Sequence, residues 1–240
     1  MESAQFLEGL VPAFKIASGD NTFFPLLKTV AETGKPIIMS AGLATFGELK
    51  KSKEFIENVW QENSLKNTDL AILHCVVSYP TPAEEANLSA ILDLKKLGLT
   101  VGYSDHTLGI DAAVLSVACG ARIIEKHFTI DKNYSEFRDH QLSANPQDLK
   151  ELVERVKLAS MLLGSGGKKI QDAERGNIQS VRRSIVARSS LKKGSEISWD
   201  SLGWVRPLNG LPAGEEHQLL GKVLKRDISE GEPILPEDVA

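Results

Sequence analysis

Residues 99–129 read LTVGYSDHTLGIDAAVLSVACGARIIEKHFT, and this stretch decides the fold. Two short apolar runs, Leu99–Tyr103 and Ala121–Glu125, each end in a polar cluster carrying a histidine: Ser104-Asp105-His106, then Lys126-His127. Between them, Gly109–Gly120 has the length and apolar content of one crossover helix. Apolar strand, polar tip, helix, apolar strand, polar tip is the pattern of a βαβ unit in a parallel sheet. In a barrel or an open α/β sheet such tips line the C-terminal edge, where these folds keep their chemistry.

Outward from that unit the pattern repeats. Ala13–Ala17 is an apolar run interrupted by Lys15 and ends at Ser18-Gly19-Asp20. Ile37–Met39 ends at Ser40-Ala41-Gly42, and Leu70–Val77 ends at Ser78-Tyr79-Pro80. Helical segments are predicted at Met1–Leu10, Asn21–Thr33, from a Thr45 cap through Trp60, and at Glu84–Leu97. A further helix, Asn145–Leu163, spaces Leu149, Leu152, Val153, Val156 and Leu163 for one face. The five strands, centred near Ile16, Ile38, Leu73, Val101 and Ile124, lie 22 to 35 residues apart, which suits a (β/α) barrel. A closed barrel needs eight strands. The alternatives are therefore an open five-stranded sheet or a barrel without three leading βα units.

Residues 164–180, GSGGKKIQDAERGNIQS, are glycine-rich, charged and poorly periodic, and read as a linker between residues 1–163 and 181–240. Beyond it lies an internal repeat. Val186, Leu191, Gly194, Ile197, Asp200 and Leu202 recur 37 positions later as Val223, Ile228, Gly231, Ile234, Glu237 and Val239. Two copies of strand, turn glycine, hydrophobe and acidic residue predict a small pseudo-symmetric β module.

Composition narrows the function classes. Hydrophobic residues make up 42% and charged residues 25%, as in a protein with a real core. The net charge is −4 and no basic stripe occurs, which argues against nucleic acid or an acidic membrane as partner. Cys75 and Cys119 sit in apolar runs and read as free thiols in a reducing compartment. With no signal peptide and no long apolar span in the sequence, a cytoplasmic location is expected.

Three constellations carry candidate chemistry. On consecutive strand ends about 4.8 Å apart, His106 and His127 could share one divalent ion, with Glu125 or Asp105 as a third ligand or an orienting partner. The alternative is that each ring hydrogen-bonds a neighbouring carbonyl or carboxylate. Lys15 interrupts a strand, which is costly without an anion nearby. Together with Ser18, Ser40, Ser78 and Ser104 at four strand tips it could bind phosphate or carboxylate, although serine is also a common helix cap in such loops. Asp139 and His140 follow the last strand; there a carboxylate could contact a polyhydroxyl substrate or cap the next helix.

FKIASGD from Phe14, PIIMSAG from Pro36, LHCVVSYPTP from Leu73, GYSDHT from Gly102 and EKHFT from Glu125 together resemble the sialic acid (N-acetylneuraminate) synthase family, and the C-terminal repeat resembles its antifreeze-like SAF domain. The resemblance implies a TIM barrel followed by an all-β SAF domain of the β-clip type. It implies condensation of phosphoenolpyruvate with N-acetylmannosamine or a related N-acetylated amino sugar, releasing phosphate, for surface polysaccharide biosynthesis. It further implies that His106 and His127 bind Mn2+ or Mg2+ and that Lys15, Ser18, Ser40 and Ser104 hold phosphoenolpyruvate. Asp20, Tyr79 and Asp139 would face the sugar, with Lys15 and Asp20 among the catalytic groups. Arg206 would reach the partner's site in a domain-swapped homodimer.

The chain departs from the family's pattern at several points. HCVVSYP stands where HCTSSYP is common, so Val77 offers no polar contact. NYSEFRDH replaces a PGPD-type loop, and RPLNGLP replaces RPG-x-GI around Arg206. The first three barrel strands have no counterpart, which leads to the expectation of an N-terminally truncated fragment, a misplaced start or half of a split gene. Competing readings are another phosphoenolpyruvate-dependent keto-deoxy sugar acid synthase, or a non-catalytic carbohydrate- or ice-binding protein. Ice binding needs a weakly charged face, and Arg182, Arg183, Lys192, Lys193, Lys222, Lys225 and Arg226 argue against it.

Overall fold

The computed structural model describes residues 1–66, 68–135 and 139–240 and divides into two compact units, Met1–Gly166 and Gly167–Ala240. In the first, α1 (Glu2–Glu8) precedes β1 (Phe14–Ile16), α2 (Phe24–Ala31), β2 (Ile37–Ser40), α3 (Phe46–Glu62) and β3 (Leu70–Cys75). Then follow α4 (Ala90–Leu94), β4 (Thr100–Asp105), α5 (Asp111–Ala118), β5 (Ile123–Lys126) and α6 (Pro146–Leu163). The five strands pair in parallel in the order β1-β2-β3-β4-β5, as the βαβ pattern predicts.

Strand register explains how one sheet serves both core and site. Met39, Ile72 and Val101 are buried, and they belong to the core with Leu27 and Val30 of α2 and with Ile56 and Val59 of α3. Each such side chain contributes about 1.5–3 kcal/mol when fully buried. Between these positions lie the residues of the opposite face, because side chains alternate along a strand. They form three rows. Lys15, Ile38, Ala71 and Thr100 are register partners, then Ser40, Leu73, Gly102 and Ile123, then Cys75, Ser104 and Glu125. Lys15 and Glu125 stand on the two outermost strands, about 19 Å apart in a flat sheet. Their charged atoms are 3.5 Å apart, so the sheet is curled into a half-barrel with these rows on its concave side.

The helix read from a Thr45 cap starts there. Thr45 and Glu48 form a capping box for α3, and Asn145 and Asp148 form one for α6. Two expectations are corrected. Glu84–Leu97 is not one helix: 3-10 turns at Ala83–Glu85 and Lys95–Leu97 flank the short α4, because Asn87 takes φ +42° and interrupts the helical path. The face predicted for α6 is buried only at Leu152, which packs with Ile110 and Ala113, while Leu149, Val153 and Leu163 are exposed. The half-exposed outer strand β5 offers that helix a narrow strip of sheet.

The stretch read as a linker carries two short helices, α7 (Asp172–Arg175) and α8 (Ile178–Val181), which belong to the second unit. There β6 (Ser184–Ala187) pairs antiparallel with β7 (Leu202–Val205). The 37-residue repeat is realised as a pseudo-two-fold interlock. Gly194 N donates to Leu224 O, and its repeat mate Gly231 N donates to Ala187 O. Leu191 and Ile228 exchange both backbone hydrogen bonds. Both turn glycines have positive φ, +90° and +77°, where a side chain would be strained. Ile197, Leu202, Ile234 and Val239 fill the core, whereas Val223, the mate of buried Val186, is exposed. Among the described residues no helix is long and apolar enough to cross a membrane.

Gly102 tests the curl. A Cβ there would lie 2.4 Å from Leu73 Cδ2 and 2.5 Å from Ile123 O, in the middle inner row. Gly102→Ala is expected to lower unfolding free energy by about 1–3 kcal/mol, measured by urea denaturation.

Candidate active site

The strand C-termini surround a cavity of about 420 Å³. Its cationic wall is Lys15, whose Nζ donates to Ser40 Oγ at 2.7 Å and lies 3.5 Å from Glu125. Lys15 starts in the lowest inner row, and its four-carbon stem raises the ammonium to the level of Glu125. Ser18 Oγ accepts from Gly42 N at 3.2 Å and donates to Cys75 Sγ at 3.6 Å. Ser104 borders the same space. Asn21 is buried beneath, its Nδ2 donating to Ser40 O at 3.1 Å and Gly42 O at 2.9 Å, so the two tips are tied together.

The opposite wall is aromatic. The rings of His106 and His127 lie 5.2 Å apart, centre to centre, at 75°. Tyr79 lies 4.3 Å from the first and 5.7 Å from the second. His106 Nδ1 is 2.8 Å from Val76 O, and His127 Nδ1 is 3.4 Å from Asp139 Oδ2. Among the described residues no hydrogen bond engages Nε2 of either ring. An Nδ1 held by an oxygen leaves Nε2 as the free lone pair, the arrangement typical of metal-binding histidine. The chemistry of this donor set therefore fits a divalent cation through two imidazoles, with the remaining positions left to water or substrate. Among the described residues no group of three or more His, Cys, Asp or Glu side chains gathers to hold an ion.

Electrostatics separate the two rings. Burial works to lower the His106 pKa, but its contact with the Cys75 thiol and the Val76 carbonyl raises it overall. Burial lowers His127, and the neighbouring His106 adds to the effect. The Cys75 thiol would rise through burial, but hydrogen bonds from His106 and Ser18 bring it down. Burial and the acidic groups Cys75, Asp139 and Glu125 raise Tyr79.

Of the residues singled out in the sequence, Lys15, Ser18, Ser40, Tyr79, Ser104, His106 and His127 border one cavity, and Asp139 reaches it through His127. Ser78 does not join the serine ring: β3 ends at Cys75, which takes the tip position, and Ser78 Oγ turns to Pro80 O. Asp20 ends a 3-10 turn, Ser18–Asp20, outside the cavity wall. Asp105 is no candidate ligand, being enclosed by Lys126 and Thr107. Arg206 lies in the second unit, its Nε donating to Val181 O at 2.6 Å. Three features escaped the sequence reading: the Cys75 thiol in the site, the Asn21 brace, and the buried pair of Asp105 with Lys126. The last had a readable signal, since each partner immediately precedes one of the two histidines.

A curled parallel sheet with a lysine–serine cluster and paired imidazoles at its strand ends defines an α/β protein with its candidate site at the C-terminal edge. The chain belongs to the NeuB family, whose model matches residues 1–168, and a SAF domain matches residues 182–240. It is 42% identical over 236 residues to N,N'-diacetyllegionaminic acid synthase of Campylobacter jejuni, covering 98% of this chain and 69% of that one. The N-acetylneuraminic acid (sialic acid) synthetase of Leptospira borgpetersenii, solved with citrate, superimposes at TM-score 0.65 and 36% identity over 70% of this chain and 57% of that one. A Chromobacterium violaceum protein assigned to spore coat polysaccharide biosynthesis superimposes at TM-score 0.81 and 27% identity, over 100% of this chain and 71% of its own. The chain thus spans roughly two thirds of the length of such relatives.

Whether Lys15 and its serines bind an anion is testable without a full reaction. Lys15→Met removes one charge-assisted contact, worth about 1.5–3 kcal/mol. Inorganic phosphate binding, measured by isothermal titration calorimetry, is expected to weaken about 10- to 100-fold, with cooperative melting retained.

Proposed function

We propose that this chain carries the site of a nonulosonic acid synthase, which joins phosphoenolpyruvate to the open-chain aldehyde of an N-acetylated amino sugar. The observation that carries the reading is the convergence on one cavity of Lys15 with its serines and of His106 with His127. The relatives named above, a legionaminic acid synthase and a sialic acid synthetase, agree with it.

In this reading Lys15, Ser18, Ser40 and Ser104 bind the phosphate and carboxylate of phosphoenolpyruvate by charge-assisted hydrogen bonds. His106 and His127 would hold a manganese or magnesium ion, which would supply Lewis-acid polarisation of the aldehyde. Tyr79 and Asp139 orient the sugar, with Asp20 on the flanking turn. C3 of phosphoenolpyruvate forms the new bond to the aldehyde carbon, and water adds at C2. The C2–O bond to phosphate breaks, leaving a keto group at C2, and the water protons end on the new hydroxyl and the departing phosphate. Holding both substrates in line is a large part of such catalysis. The β-clip unit is assigned the family's arrangement, in which Arg206 serves the site of a second copy.

Metal-dependent phosphate release from phosphoenolpyruvate, assayed with a panel of N-acetylated amino sugars, tests the reading. His106→Ala and His127→Ala are each expected to abolish release; unchanged turnover in either variant would refute the metal assignment.

A further inference from the structure

Beside the two histidines lies a closed ring of interactions, one member of which, Lys126, also borders the cavity. Asp105 and Lys126 are register partners on β4 and β5, and both side chains are almost fully buried, at 0% and 3% exposure. Lys126 Nζ donates to Asp105 Oδ2 at 2.9 Å and to Thr107 O at 2.6 Å. Asp105 Oδ1 accepts from Thr107 N and from Thr107 Oγ1, both at 2.8 Å. The ring therefore encloses the backbone on both sides of His106 and ties it to the residue before His127.

A buried ion pair is a poor device for stability, since replacing both charges by apolar groups is often neutral or better. What it does supply is direction, because an off-line Lys126 would leave the Asp105 carboxylate buried without its counter-charge. The surroundings add to this fixing at longer range: Thr81 N donates to His106 O at 2.9 Å, and Ala144 N to His127 O at 2.7 Å. Backbone bonds of that kind hold each strand tip separately. The Asp105–Lys126–Thr107 ring adds a side-chain link from one tip to the other, beside the backbone pairing of β4 with β5.

We infer that Asp105, Thr107 and Lys126 form a positioning clamp that sets the separation of the His106 and His127 rings and so the affinity of the site for a divalent cation. The inference rests on the metal reading given above. None of the three is assigned contact with substrate or ion. Outer partners that orient metal-binding histidines are worth about 10- to 100-fold in metal affinity.

The test is Mn2+ affinity, read from the electron paramagnetic resonance signal of free Mn2+, beside thermal melting of the same samples. Four proteins are compared: the wild-type chain, His127→Ala, the double variant D105N/K126M, and Thr107→Val. The double variant removes both charges together and so leaves none stranded. It is expected to weaken Mn2+ binding at least tenfold while still melting cooperatively. Thr107→Val, which removes one hydroxyl donor, is expected to weaken binding by a smaller factor. If His127→Ala loses Mn2+ while D105N/K126M binds it as the wild type does, the clamp is refuted and the metal reading stands. If the wild type and His127→Ala bind alike, the metal reading falls and takes the clamp with it. If the double variant fails to fold, Thr107→Val decides: a wild-type dissociation constant overturns the clamp, and a weakened one at unchanged melting supports it.

Discussion

The meeting of Lys15 with Glu125 is the constraint on which the first unit's geometry depends. These residues belong to the first and last strands of a five-stranded sheet, and only a strongly curled sheet lets their side chains touch. The curl follows from strand twist and from what the inner rows contain. Gly102 in the middle row lets Leu73 and Ile123 close over it, so the concave side narrows where it is apolar. Above that constriction the rows turn polar, with Cys75, Ser104 and Glu125 facing the cavity. The concave face thus separates an apolar layer from a polar one by height along the strands.

The fold was legible where local rules and long-range pairing agree. Each strand is a short apolar run ending in a polar tip, and such runs have few other stable uses. The Thr45 cap gave a helix start because Glu48, the third residue of the helix, answers it. The broken segment around Asn87 was not legible: its apolar spacing suits a helix, and only the contact of Ala86 O with His74 Nε2 reveals that its backbone is committed elsewhere. The exposed face of α6 was hidden for a similar reason, since periodicity reports which side could be buried and not how much sheet there is to cover it.

The site divides along the same line. His106 and His127 could be paired from the sequence because register on adjacent strands follows from equal tip positions. The ring of serines failed at Ser78 because β3 ends two residues earlier than the apolar run suggests. Register then puts Cys75 in the row of Ser104 and Glu125, so a soft thiol faces the space where a fourth hydroxyl was expected. The internal repeat of the second unit was legible in outline for a different reason: a pseudo-two-fold axis forces mates such as Leu191 and Ile228 to meet each other. Val223 escapes the pairing of buried positions because only Val186 sits on a strand enclosed by the core.

The two departures around β3 act together. Val77 borders the cavity with a branched apolar side chain, and Cys75 beside it has both of its neighbours, Ser18 and His106, within hydrogen-bonding reach of sulfur. A wall of this kind contributes little to holding an anion. In the proposed reaction the recognition of phosphate and carboxylate is therefore concentrated on Lys15 and the hydroxyls of Ser18, Ser40 and Ser104. Lys15 is already oriented for this by Ser40 on one side and Glu125 on the other. A carboxylate that holds an ammonium in place also competes with the anion for it, so Glu125 moderates binding while it aims the charge. In the proposed reaction that opposition would favour release of an anionic product, and it arises from the same contact across the sheet that reports its curl.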